Sequence, residues 1–178
     1  SPRMVSSFFA HDRVHRQHTG ANMRLKEEVS PILEEMLACD SAELAFEMDS
    51  PAEYGNEELI FKGDRFRFRV TRDRGQVFLD IAPRFADRDW YMLPRLFEFL
   101  DLGPEEEFSP EDYGPTTGAL LRKQAHVFVE NVEKIGELLS SENYEASHLR
   151  LKEFWQRKSR EIFGPSSFAL PSSKRGKP

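Results

Sequence analysis

Between Leu59 and Ala82 three runs of alternating apolar and polar residues follow one another, broken at Gly63-Asp64 and again over Arg72 to Gly75. Alternation of period two is the mark of a strand with one buried face, and three consecutive runs joined by short turns imply an antiparallel meander. With Gly63-Asp64 as a two-residue turn, Phe61 stands opposite Phe66 and Leu59 opposite Phe68. With Arg72 to Gly75 as a four-residue loop, Val70 stands opposite Val77, Phe68 opposite Leu79 and Phe66 opposite Ile81. Both readings place the apolar residues on one face, and a slip of one residue would throw Asp80 onto it. The other face then carries Ile60, Arg65, Arg67, Arg69, Phe78 and Asp80, with Arg67 directly across from Asp80.

The flanking segments extend this core in both directions. Leu25, Val29, Ile32, Leu33, Met36 and Leu37 recur at helical spacing, with Lys26, Glu27, Glu28, Glu34 and Glu35 on the opposite side and Pro31 as a point of bending. Leu44, Phe46 and Met48 alternate with polar neighbours and add a first strand. Beyond Pro83, Trp90 and Tyr91 lead into a short helix with Pro94 in its first turn, which Gly103-Pro104 ends. An acidic loop follows. The spacing of Leu121, Ala125, Phe128, Val132, Ile135 and Leu139 predicts one long helix, and a last helix runs from a cap at Ser141 or Asn143 to about Phe163, burying Leu151, Phe154, Trp155 and Ile162. The expected fold is α+β: an N-terminal helix, a four-stranded antiparallel meander, a short helix, and a C-terminal helical hairpin packed on the sheet. It occupies residues 23–164. Residues 1–22 read as a flexible N-terminal extension and 165–178 as a basic C-terminal tail.

Charge divides the chain in the same way. The whole carries a formal −6, but the N-terminal extension contributes +2 and the C-terminal tail +3, leaving −11 for the body of the domain. Such a body favours a basic protein partner and repels nucleic acid at long range. A single cysteine, Cys39, allows no intramolecular disulfide, and apolar stretches are too short for a membrane span, so a cytoplasmic setting without membrane attachment is expected.

No pattern of residues points to catalysis. A phosphate-binding glycine loop, a nucleophile elbow and an HExxH pair are all missing, and the adjacent carboxylates at Glu27-Glu28, Glu34-Glu35 and Glu105 to Glu107 cannot converge on one point. His11, His15 and His18 are spaced for one helix face but lie in the extension, and no metal or other cofactor is expected. Two surfaces remain as candidates for binding. The acidic residues Glu34, Glu35, Glu105, Glu106 and Glu107, with the aromatic pair Trp90 and Tyr91 as anchors, suit a basic protein. Alternatively, Arg65, Arg67, Arg69, Arg72 and Arg74 offer an anion site that a nucleic acid could use.

RDRGQVFLDI at 72–81, together with SENYEASHLRLKEFWQRKSREIFG at 141–164, resembles small bacterial proteins of this helix, meander and helices layout, of the kind that act as immunity proteins against polymorphic or contact-dependent toxins. The likeness spans about residues 24–164 and carries no functional residue with it. It implies a non-enzymatic protein-binding module, immunity or antitoxin-like, that binds and occludes a toxin or effector. The alternative is an accessory factor that meets nucleic acid through the Arg-rich strand.

Overall fold

A computed structural model describes residues 23–50, 56–110 and 114–164 of the chain. The proposed extension 1–22, its three histidines, the basic tail 165–178 and the acidic residues Glu111 and Asp112 lie outside the described residues.

The fold is α+β. Helix α1 (Leu25–Ala38) is followed by strands β1 (Glu43–Ser50), β2 (Asn56–Lys62), β3 (Phe66–Asp73), β4 (Gln76–Pro83) and β5 (Tyr91–Met92). Helix α2 (Leu93–Phe99), a 3-10 turn (Glu105–Phe108), α3 (Gly118–Glu130), α4 (Val132–Leu138) and α5 (Tyr144–Phe163) complete it. Among the described residues the sheet has five strands in the order β1-β2-β3-β4-β5, each antiparallel to the next. Four were expected. The fifth is two residues long, too short to show any alternation.

The face assignment of the meander holds, but its register moves by two residues at both turns. Phe61 pairs with Phe68 and Leu59 with Val70 across β2 and β3. Across β3 and β4, Phe68 pairs with Ile81, Val70 with Leu79 and Phe66 with Pro83. A shift of two leaves every side chain on its original face, which is why alternation could not detect it. Arg67 therefore lies across from Ala82, and Arg69 is the residue opposite Asp80. The second hairpin closes tighter than expected because Arg74 and Gly75 take φ values of 50° and 83°, the conformation of a two-residue turn whose twist matches the strands.

One face of the sheet meets the helices. Leu59, Phe61, Phe66, Phe68, Val70, Val77, Leu79 and Ile81 form one core with Leu25, Val29, Leu33 and Met36 of α1 and with apolar residues of α2, α3 and α4. The rings of Phe66, Phe68 and Phe128 meet edge to face, with centroids 5.4 to 6.1 Å apart. Helix α1 is tied to this side by Glu57 of β2, which accepts from the Leu25 N–H at 2.8 Å and so supplies the N-terminal cap that Arg24 does not.

The helices after the sheet depart from a single long rod. The expected helix breaks at Asn131, whose side chain donates to the Val127 carbonyl at 2.9 Å and whose φ of −119° leaves helical geometry. Helix α3 lies along α1. Helix α5 rests on α2 through Phe154 on Phe99, the Arg95 guanidinium over Trp155, and an ion pair between Lys158 and Glu98. Of the four residues expected to be buried on α5, Leu151 is buried, Phe154 and Trp155 are half-buried, and Ile162 is exposed.

Candidate interaction surface

Among the described residues no helix covers the other face of the sheet, and its geometry follows from the register. One row crosses all five strands as Phe46, Ile60, Arg69, Asp80 and Met92; the next holds Met48, Glu58, Thr71 and Phe78. Trp90, immediately before β5, falls on this face and lies beneath two arginines: the guanidinium carbons of Arg67 and Arg69 sit 4.8 and 4.7 Å from its ring centroid. Arg69 donates from both Nε and Nη2 to the Asp80 carboxylate, at 2.9 and 2.6 Å. Arg67 is buried beneath the loop after β4, where Nη2 donates to the Ala86 carbonyl and Nη1 comes within 3.8 Å of Asp87.

The five arginines of the sequence reading do not converge. Arg67 and Arg69 share the open face. Arg72 has the opposite orientation and binds Glu57 at 2.6 Å and Glu28 at the rim of the core. Arg65 lies in the loop before β3, where it bonds Asp40 and Glu133. Arg74 stands at the hairpin tip, its side chain 82% exposed and 3.8 Å from Asp73. Four of the five thus meet a carboxylate belonging to another element, and their charge is spent on holding the fold together.

The acidic residues are freer. Glu34 and Glu35 are exposed on α1, and Glu106 is exposed in the 3-10 turn. Glu105 and Glu107 beside it bond Arg95 and Lys123, each at 3.2 Å. The sequence reading missed a second acidic group, Glu43, Glu47 and Asp49 on β1. Next to them Phe46 and Met48 are 45% and 41% exposed, although alternation had put both in the core with Leu44. A bulge between Leu44 and Phe46 is the cause: Leu44 pairs with Phe61 on the helix side, but Phe46 pairs with Ile60 and so turns outward. Nothing local in the sequence marks that extra residue.

Trp90 and Tyr91 are both engaged within the molecule. Tyr91 faces the helices and enters a chain of hydrogen bonds that ties β5 to the start of α5. Tyr144 donates to Asp89 at 2.5 Å, and Tyr91 donates to the Tyr144 oxygen at 3.1 Å. The Tyr91 hydroxyl also lies 2.7 Å from Nδ1 of His148, within hydrogen-bond distance. Burial, with the bond to Asp89 second, raises the Tyr144 pKa far above its ordinary value, and burial raises that of Tyr91. The four groups satisfy one another, and their role is to position α5.

A cavity of about 380 Å³ beside β4 is lined mainly by Phe78, Met92, Pro94 and Phe108, with Gln124 contributing an amide that donates to the Phe108 carbonyl at 2.6 Å. Among the described residues no cluster of three His, Cys, Asp or Glu side chains is placed to hold a metal, and no described helix is long and apolar enough to cross a membrane. No protein-family model matches the chain, and no match is found among curated proteins or solved structures.

Proposed function

We propose that the chain is a non-enzymatic protein-binding module whose acidic surface takes a basic partner, and that it acts as a cytoplasmic immunity or antitoxin-like protein, occluding a bacterial toxin or effector. The observation that carries this reading is the asymmetry of free charge. Arg65, Arg69 and Arg72 are bonded to Asp40, Asp80, Glu28 and Glu57 within the fold, while Glu34, Glu35 and Glu106 face solvent. The field seen by an approaching molecule is therefore negative, in keeping with the −11 of the domain body. Steering of this kind acts on association rate more than on affinity.

Stopped-flow association of the full chain with a cationic effector domain, at low and at physiological salt, tests the reading. The on-rate falls as salt rises, and charge reversal at Glu34 and Glu35 or at Glu105, Glu106 and Glu107 lowers it further. Micromolar binding to DNA or RNA at physiological salt, lost on reversing the solvent-facing Arg74, would replace this reading with the nucleic-acid one.

A further inference from the structure

Among the described residues strand β1 is the outer edge of the sheet, and β2 is its only strand partner. The eight residues Glu43–Ser50 contain no proline, so the side away from β2 offers a ladder of N–H and C=O groups on which another strand can form. The bulge at Ala45 gives this edge two distinct borders. On the open face Phe46 and Met48 stand 45% and 41% exposed, next to the half-buried Ile60. On the helix side stand Glu47 and Asp49, both exposed, with Glu47 3.5 Å from the Lys26 ammonium. Large apolar side chains left in water beside an unpaired edge mark a surface that something covers.

We propose that β1 takes an extended segment of the basic partner as a sixth strand. The sign of the partner rests on the function proposed above; the edge pairing is additional to it. The segment that fits alternates in character: side chains turned to the open face are apolar and cover Phe46 and Met48, and those turned to the helix side are Lys or Arg and meet Glu47 and Asp49. A second copy of this chain does not fit. Two β1 strands brought edge to edge would set Glu47 and Asp49 of each against those of the other, with no base in either strand. The carboxylates that block self-pairing are the ones that select a cationic strand.

The test is amide hydrogen exchange and NMR on the full chain with three synthetic peptides: one alternating lysine and valine, the same peptide N-methylated on alternate residues, and one alternating glutamate and valine. At low salt the first peptide slows exchange of the outward-pointing β1 amides by at least about tenfold and shifts the Phe46 and Met48 signals, while the other two do neither. Replacing the exposed pair, Glu47→Lys with Asp49→Lys, transfers the preference to the glutamate peptide. Equal binding of the N-methylated peptide would reduce the contact to simple ion pairing and overturn the proposal, as would β1 amides that stay fast with every peptide. Concentration-dependent dimerisation with protection confined to β1 would make a second copy the occupant. Slow β1 exchange in the free monomer would mean the chain covers its own edge. Each of these last two results also overturns the proposal. A basic protein that binds in a salt-sensitive manner while β1 amides stay fast overturns the edge pairing and leaves the proposed function standing. Failure of every basic protein to bind, with the peptide still pairing to β1, does the reverse.

Discussion

The Asp40 carboxylate fills the space where a side chain on Gly63 would stand: a Cβ added there would come within 2.1 Å of Oδ2 and 2.5 Å of the Asp40 carbonyl. From that position Asp40, 2% exposed at the end of α1, accepts from the backbone N–H of Phe66 at 2.9 Å and of Arg65 at 3.1 Å, while its own carbonyl accepts from Asp64 N–H. The carboxylate holds open the loop joining β2 to β3, and this is why that turn spans more than the two residues the alternation suggested. Gly63 is needed for space, since its φ is not positive.

Asp40→Ala leaves two backbone donors without their acceptor and should cost about 2–4 kcal/mol, read from denaturant melts. Gly63→Ala should also destabilise, and by less when Asp40 is already alanine, because the closest clash is gone. Additive losses in the double variant would show that the two residues do not share this space.

Removing Arg69 strands Asp80, which is 6% exposed, so Arg69→Ala should cost about 2–4 kcal/mol, less than a fully buried pair would because the Arg69 side chain is partly solvated. Phe68→Ala, in the centre of the aromatic core, should cost about 3–5 kcal/mol. Arg74→Ala at the hairpin tip should stay within about 0.5 kcal/mol. Chemical denaturation of the three variants ranks them, and an Arg69 variant as stable as the Arg74 variant would refute the account of the open face.

Alkaline pH should loosen the attachment of α5. Tyr144 and Tyr91 both have pKa values raised from 10.0 in the folded state, so the fold favours their neutral forms. That contribution is complete below the unfolded value of about 10 and is lost as pH climbs through it toward the folded values. Melting of the native chain should therefore fall above about pH 10, and the gap to Tyr144→Phe should narrow there. Tyrosinate absorbance supplies the second readout: the difference between the two proteins should show a group still protonated where free tyrosine has ionised.

The far half of α5 should open more readily than the rest of the fold. Past Leu151 it has no buried apolar residue, and it is held by Phe154, Trp155 and Lys158 against α2. Amides from Gln156 to Ile162 should exchange through local opening, at rates well above those of Leu121 to Phe128 in α3. Equal protection of the two helices, reached only by global unfolding, would contradict this.

Alternation by itself determined which face each residue of β2, β3 and β4 takes, and helical spacing located α1, α2 and the apolar stripe later divided between α3 and α4, because side-chain direction depends on local backbone period. The same period is blind to a shift of two residues, so the register waited on Asp40 entering one turn and on Arg74 and Gly75 closing the other. It is equally blind to a bulge, so Phe46 and Met48 exchanged core for solvent without a local sign. Nor could spacing say where each arginine finds its carboxylate. Arg65, Arg69 and Arg72 look alike in sequence and end on α4, on β4 and at the foot of α1, since the partner of a long side chain is set by what the tertiary fold brings within reach.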